Sequence, residues 1–299
     1  MTFSDGNASK RLLCFGLGFS ARHLVARLDR SIWSIAGTVR DAEAALKLRR
    51  DGIDAFVFDG GGRTPGLDAA IASATHVLIS APPDAAGDPV LASYAQDLAA
   101  APTLSWVGYL STVGVYGDHA GRWVDEATPV APVSQRSRHR VAAELQWLEF
   151  ARDSGKRVVI FRLAGIYGPG RSAIDSVRSG RARRIVKPGQ RFNRIHVADI
   201  ARVVESSMAG RGRATILNVT DDEPAPPQDV ITYAASLLSA PMPPEIAFDD
   251  ADLSPMAQTF YGENKQVRND LMKKDLGLEL AFPTYREGLE QLAAVPPPG

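Results

Sequence analysis

Arg11-Leu12-Leu13-Cys14-Phe15-Gly16-Leu17-Gly18-Phe19-Ser20-Ala21 is the stretch that decides the fold. Arg11 to Phe15 reads as a buried strand, and Ala21 to Leu28 carries a helical apolar stripe of Leu24, Val25 and Leu28. The glycines between them fit the G-x-G-x-x-G/A fingerprint. Gly16 permits the tight turn, Gly18 has no Cβ to block a pyrophosphate, and the small Ala21 lets helix and strand approach. Amides at the helix start, around Phe19 and Ser20, face the anion. A lone match of this kind is a glycine turn and no more. Its place between a strand and a helix, with a second strand following, turns it into an expectation of dinucleotide binding.

Outward from this loop, short apolar runs alternate with helical segments. Trp33 to Val39 reads as the second strand, and further strands fit Ala55 to Phe58, His76 to Ser80, Leu104 to Leu110, Val158 to Leu163 and Thr215 to Val219. Helices are expected at Ala42 to Arg50, Pro89 to Ala100 and Arg136 to Arg152, with Asp153-Ser154-Gly155 as a C-terminal stop. The fold class is therefore α/β, a Rossmann-type doubly wound parallel sheet of about seven strands. After Val219 the chain turns acidic and Pro-rich, which reads as a smaller C-terminal subdomain. Residues 10–168 form the expected dinucleotide-binding domain, with 191–220 returning to it. Residues 169–190 and 221–295 form the substrate-binding subdomain, 1–9 read as a disordered N-terminus, and Pro296 to Gly299 as a frayed end.

The end of the second strand bears on the cofactor. An NAD site places an acidic side chain there for the ribose hydroxyls, whereas a 2′-phosphate calls for a cation. The chain reads Gly37-Thr38-Val39-Arg40, and the planar fork of Arg40 matches a phosphate. NADP is thus favoured; NAD stays open, because Asp41 would take the acidic role if the strand ended one residue later.

Composition excludes several other functions. The chain has 299 residues, 45% hydrophobic and 23% charged, with 34 basic and 34 acidic side chains. A zero net charge gives no pull toward nucleic acid or an anionic membrane, so any anion must be captured locally. A single cysteine, Cys14, allows no internal disulfide and suits a reducing cytoplasm. The five histidines lack metal-ligand spacing, so no metal is expected. Neither a secretory h-region nor an apolar run of membrane-spanning length is seen. A soluble protein acting on a small molecule is the expectation.

Three segments then resemble a known family. Ser111-Thr112-Val113-Gly114-Val115-Tyr116-Gly117, Arg162-Leu163-Ala164-Gly165-Ile166-Tyr167-Gly168-Pro169 and Arg194-Ile195-His196-Val197-Ala198-Asp199-Ile200-Ala201 stand in the order seen in extended short-chain dehydrogenases/reductases. This is the NAD(P)-dependent epimerase/dehydratase group, and the resemblance runs from about Leu12 to Leu292. It implies that Thr112 supplies the hydroxyl that hydrogen-bonds the substrate oxygen. It implies that Asp59 contacts adenine and that Ser80-Ala81-Pro82 lies along the cofactor. It places Tyr116, Tyr167, Arg171, Lys187, Arg191 and Asn193 in the part of the family that borders or contacts substrate. Family members also pair as homodimers through a contact that includes the Arg136 to Arg152 helix, where Val141, Leu145 and Leu148 are apolar positions needed first for the chain's own core.

The chain departs from the family in that helix. The pattern P-x-S-x-Y-G-x-S-K is matched by Pro132 and Ser134, with Glu144 four residues beyond it, but Arg136 and Arg140 replace the catalytic tyrosine and lysine. Spaced i, i+4, the two arginines share a helix face. Arg140 keeps the charge and donors with which the family's lysine holds the nicotinamide ribose. Arg136 has no exchangeable proton near neutrality and is suited instead to polarise an oxygen or to clamp a carboxylate or phosphate. Another proton carrier would have to serve, with His139, Tyr116 and Tyr167 as candidates that are also readable as packed or surface rings. The expected function is an NAD(P)-binding oxidoreductase or epimerase with an atypical site, acting on a small anionic sugar or nucleotide-sugar. A non-catalytic NADP(H) sensor and a scaffold with a vestigial loop are the alternatives.

Overall fold

Residues 10–295 are described by a computed structural model; the start and end segments expected to be disordered or frayed, 1–9 and 296–299, lie outside them. The N-terminal half alternates strand and helix: β1 (Lys10–Phe15), α1 (Phe19–Arg27), β2 (Trp33–Val39), α2 (Ala42–Arg50), β3 (Asp54–Val57), α3 (Leu67–Ser73), β4 (His76–Ile79), α4 (Pro89–Ala100) and β5 (Trp106–Thr112). A 3₁₀ turn (Val113–Tyr116), β6 (Trp123–Val124), α5 (Gln135–Ser154), β7 (Val158–Leu163) and β8 (Gly165–Tyr167) follow. Then come α6 (Ala173–Arg178), β9 (Arg184–Val186), β10 (Arg194–His196), α7 (Val197–Met208) and β11 (Ile216–Val219). The chain closes with α8 (Pro227–Leu237), β12 (Glu245–Ala247), α9 (Pro255–Tyr261), β13 (Gln266–Val267), α10 (Asp270–Leu276) and α11 (Tyr285–Ala294).

The central sheet has seven strands in the order β11-β7-β5-β4-β1-β2-β3. Those are the seven apolar runs expected from the sequence. Parallel registers join β1 to β2 and β4, β2 to β3, and β4 to β5. Every residue of β4 and β7 is buried, as strands covered by helices on both faces must be. The fifth strand begins later than expected and runs on to Thr112, so the candidate hydroxyl sits at a strand end. Chain direction about the sheet reverses between β1 and β4. Ligands of doubly wound sheets collect at such a switch point, beyond the carboxyl ends of the strands.

Helices α3 and α7 and three two-stranded ladders, β10-β8, β12-β9 and β13-β6, were not among the expected elements. The stop after α5 is formed as its residues suggest. Gly155 takes φ +70° and its N–H donates to Ala151 O at 3.0 Å. The buried stripe of α5 is a correction to the sequence reading. It is Ala143, Trp147 and Phe150 that are buried, while Leu145 is 57% exposed. The large Trp147 ring fixes which face turns inward, since leaving it in water would forfeit more apolar burial than leaving a leucine there.

Contacts divide the chain into two compact units: residues up to Leu110 with Ala142–Ile160, and Ser111–Val141 with the residues from Phe161 onward. In the first, Phe15, Phe58 and Tyr94 pack ring against ring with centroids 5.7 to 5.9 Å apart. Its α4 begins on Asp88, whose buried carboxylate accepts the Val90 and Leu91 N–H groups and also Trp147 Nε1–H at 3.0 Å. In the second, Tyr167, Ile174, Val230, Tyr285, Leu289 and Leu292 belong to one buried cluster. Among the described residues no helix is long and apolar enough to cross a membrane.

Candidate functional site

In the first unit the glycine loop is pinned from below. Gly16 N–H donates to Thr38 Oγ1 at 2.9 Å and Leu17 N–H to Thr38 O at 2.8 Å. Leu17 is buried over Gly37, where any side chain would collide with it. Thr38 and Gly37 thus hold the loop in place, a role the sequence reading missed. The signal lies in Gly37-Thr38-Val39-Arg40, where a residue without a side chain and a hydroxyl precede the arginine at the strand end.

Gly16 adopts φ +91°, and a Cβ there would stand 3.1 Å from Ala81 N. Only glycine fits. The Ser80 and Ala81 N–H groups both donate to Phe15 O, at 2.8 and 2.9 Å, so the loop after β4 lies against the glycine turn. Gly18 differs. It is the N-cap of α1, with extended backbone (φ −85°), no side-chain cap, and nothing within 4 Å of where a Cβ would point. The first turn of α1 carries no acidic residue, Ser20 is buried, and Ala21 is fully buried against the sheet. An uncapped helix end with open space at its N-cap suits a pyrophosphate. The residues present fit the diphosphate of a dinucleotide.

Arg40 is exposed immediately after β2. Asp41 is the N-cap of α2, and its carboxylate accepts the Ala44 N–H at 2.8 Å. Phe58 N–H donates to Val39 O, so Asp59 leaves a strand end next to that of Arg40. Asp59 is exposed and its Oδ1 accepts the Gly61 N–H at 2.8 Å, closing its own turn. Pro82 is exposed as well.

The second unit carries the residues expected to meet substrate. Thr112 caps the 3₁₀ turn, its Oγ1 accepting Gly114 N–H at 3.1 Å, while the hydroxyl hydrogen remains to be donated. A Cβ on Gly114 would lie 2.9 Å from Ser137 Oγ and 3.4 Å from Thr112 Oγ1, so that the two hydroxyls flank one glycine. Ser137 is buried and shares a 2.8 Å hydrogen bond with Ser134, whose Oγ also accepts the Ser137 N–H. Ser137 was not singled out from the sequence, because a serine in an arginine-rich run reads as surface.

Arg136 and Arg171 are exposed and Arg140 is partly buried. The Arg136 guanidinium is held below its ordinary range by desolvation first, then by the like charges of Arg140 and Arg171. Arg140 lies one helical turn on from Arg136 along α5, and Arg171 lies in the tight turn in which Gly168 and Arg171 exchange backbone hydrogen bonds. Partly buried His139 lies between Arg136 and Arg140 in sequence.

Other expected contacts are taken up within the fold. Tyr116 is fully buried; its hydroxyl donates to Asn218 Oδ1 at 2.8 Å and accepts from Arg162 at 2.9 Å. Tyr167 is packed in the cluster with α11, and its hydroxyl is directed at Thr284 O, 3.4 Å away. Burial pushes both phenols above their ordinary pKa. Asn193 is buried, its amide bridging Lys265 O and Val267 N–H at 2.9 and 2.8 Å. Lys187 donates to Tyr261 O and Arg191 to Pro224 O. The segment from Lys187 to Asn193 is thus tied to residues around Tyr261 to Val267, a pairing of distant stretches with no trace in local sequence.

Residues 84–219 match the model of the NAD dependent epimerase/dehydratase family. Protein YeeZ of Escherichia coli strain K12 is 26% identical over 290 residues, covering 92% of this chain and 97% of that protein. A functionally unknown conserved protein from Silicibacter pomeroyi DSS is 50% identical, with a TM-score of 0.85 over 95% of this chain and 98% of that one. The dTDP-glucose 4,6-dehydratase of Bacillus anthracis, solved in complex with NAD, shares the fold at 16% identity, with a TM-score of 0.76 and 95% of each chain covered.

Proposed function

From the premise that the chain belongs to the NAD dependent epimerase/dehydratase family, we propose that it binds NADP and acts as an oxidoreductase or epimerase on a small anionic sugar or nucleotide-sugar. The observation that carries the reading is Gly18. Packing does not require glycine there, since nothing stands within 4 Å of its Cβ direction, whereas a pyrophosphate over the α1 terminus does. Gly16, Phe19, Ser20 and Ala21 complete the diphosphate cradle, with Ser80, Ala81 and Pro82 alongside and Asp59 at the adenine.

The end of β2 supports NADP over NAD in this reading. Asp41 spends its carboxylate on the α2 cap, which leaves Arg40 to meet the adenosine ribose. The dehydratase from Bacillus anthracis was solved with NAD.

When bound, the nicotinamide ring gives or takes a hydride. The chain's own residues do the rest. Thr112 would donate its hydroxyl to the substrate oxygen, Arg140 would hold the nicotinamide ribose as the family's lysine does, and Arg136 with Arg171 would clamp the anionic group of the substrate. Tyr116, Tyr167 and Asn193 are left out of this assignment because their polar atoms serve the interior.

A second reading is favoured by one observation. Arg136 stands in place of the proton-exchanging tyrosine, and the phenols of Tyr116 and Tyr167 are buried, so a non-catalytic NADP(H) sensor is the alternative. Titration of NADPH and NADH, followed by nicotinamide fluorescence, separates the outcomes. Saturable NADPH binding that Gly18→Val weakens at least about tenfold at unchanged Tm supports the proposal. No binding of either coenzyme removes both readings, and tight binding without turnover on carbonyl sugars or their phosphates leaves the sensor.

A further inference from the structure

The stretch from Arg178 to Arg191 holds Arg178, Arg181, Arg183, Arg184, Lys187 and Arg191 and no acidic residue, in a chain whose net charge is zero. Some of these cations are spent inside the second unit. Arg178 donates to Ala293 O and Val295 O, and Arg184 pairs with Glu245 at 3.0 Å and donates to Pro243 O. Arg181 and Arg183 are exposed and reach only Ser179 Oγ, Gly180 O and Ala182 O, so no described carboxylate neutralises them. The bonds to Gly180 and Ala182 hold the Arg183 guanidinium in place, which lowers the entropy that docking has to remove. β9 then starts at Arg184 and runs in parallel register with β12, Arg184 beside Glu245 and Val186 beside Ala247. Beyond the ladder, β12 gives way to an exposed acidic run, Asp249, Asp250 and Asp252, none of which forms an ion pair with a described residue. Cations thus lead into one end of the ladder and carboxylates lead out of the other. The ladder is roughly 7 Å long at about 3.3 Å per residue, within one Debye length of about 10 Å at 0.1 M salt.

We propose that a second copy of this chain docks on this face, with the outer edge of β12 against its own counterpart about a two-fold axis. Among the described residues β12 has β9 as its one strand neighbour, and its own residues are exposed or partly exposed, while α8 packs on β9. The outer edge is open to pairing. A two-fold axis across that edge sets the two ladders antiparallel, so that Arg181 and Arg183 of each copy meet Asp249 and Asp250 of the other. A polyanion held at the arginines would be repelled by the carboxylates one ladder away, whereas a second copy gains at both ends. That complementarity selects the occupant. Exposed ion pairs set register more than affinity. Apolar area comes from Met256 and Phe260, 60% and 57% exposed and one turn apart on α9, which follows the acidic run; methionine and aromatic rings are the side chains that interfaces collect. The inference is independent of the proposed function, since coenzyme and substrate take no part in it.

Sedimentation velocity of the full chain over a concentration series, at low and at high salt, is the test. A dimer whose dissociation constant rises with salt is expected. Two charge reversals, Arg181→Glu with Arg183→Glu and Asp249→Lys with Asp250→Lys, should each weaken it at least about tenfold, because like charges then face each other. Mixed in equal amounts, the two variants should pair again with about the parent's affinity, since every facing pair is once more of opposite sign. Misfolding of either variant could not give that recovery. The milder Asp249→Asn with Asp250→Asn should weaken the dimer less than the lysine pair does. A chain that stays monomeric at every concentration overturns the proposal, as do variants that pair as tightly as the parent. A mixture that regains nothing while both variants keep the parent's Tm overturns it too. So does a dimer indifferent to all three variants but dispersed by Leu145→Glu, which would place the contact on α5.

Discussion

At the scale of single residues stand the proposed cofactor preference and part of the pH dependence. Replacing Arg40 by Asp exchanges the proposed phosphate fork for a ribose acceptor. NADPH affinity should fall at least about tenfold while NADH affinity holds or improves, as read by fluorescence titration. Equal loss of both coenzymes would remove the 2′-phosphate assignment. Asp221 is marked by no local pattern, one acidic residue among several in Asp221-Asp222-Glu223. Its carboxyl is 1% exposed, with neither oxygen in hydrogen-bonding geometry to a donor among the described residues. Burial raises its pKa well above the usual carboxylate value, against the opposing pull of the Arg194 charge. A raised folded pKa means that the folded state binds the proton more tightly than the unfolded one. Stability is then fully present below the unfolded value of 3.8 and lost as pH rises toward the folded one, by up to about 1.4 kcal/mol per pH unit. Asp221→Asn should flatten that slope and gain stability relative to the parent as pH is raised from 4 to 7, measured by urea denaturation across pH. Parallel pH profiles of parent and variant would contradict it.

At the scale of elements, the sequence marked the starts and stops of the principal helices because their signals are local. Pro89 opens α4 and Gly155 closes α5 within a few bonds of the residues that announce them. What the sequence did not announce is how those helices are fastened. Asp88 caps α4 and, with the other oxygen, accepts the indole N–H of Trp147 on α5, while its own N–H donates to Gln146 Oε1 at 3.0 Å. Asp88→Ala removes a cap and strands a buried indole donor. A loss of about 2 to 4 kcal/mol in urea denaturation is expected, against roughly 1 kcal/mol for a cap alone. Asp88→Asn, which keeps one acceptor, should recover part of it. The inward face of α5 was misjudged for a related reason. The sequence reading turned Val141, Leu145 and Leu148 inward, whereas Ala143, Trp147 and Phe150 are buried, and the volume of Trp147 decides the face only once there is a core for it to fill.

For the whole molecule, coenzyme binding and folding are linked. NADPH at a hundred times its Kd should add about 2.7 kcal/mol of stability, seen as a rise in Tm that depends on coenzyme concentration. NADH at the same concentration should give a smaller rise, and equal shifts would count against Arg40. By itself the sequence determined the seven-stranded doubly wound sheet, the glycine loop and the ordered motifs of the family, together with the arginines at 136 and 140 of one helix face. Each of these is written in neighbouring residues, as apolar runs, turn glycines or ordered motifs, and a local pattern survives without its partners. Tertiary structure alone decided that Thr38 pins the glycine loop and that Tyr116, Tyr167 and Asn193 turn their polar atoms inward. Those outcomes depend on residues far apart in the chain. Whether a hydroxyl or amide is left for a ligand is fixed by whichever distant group satisfies it first once water is excluded.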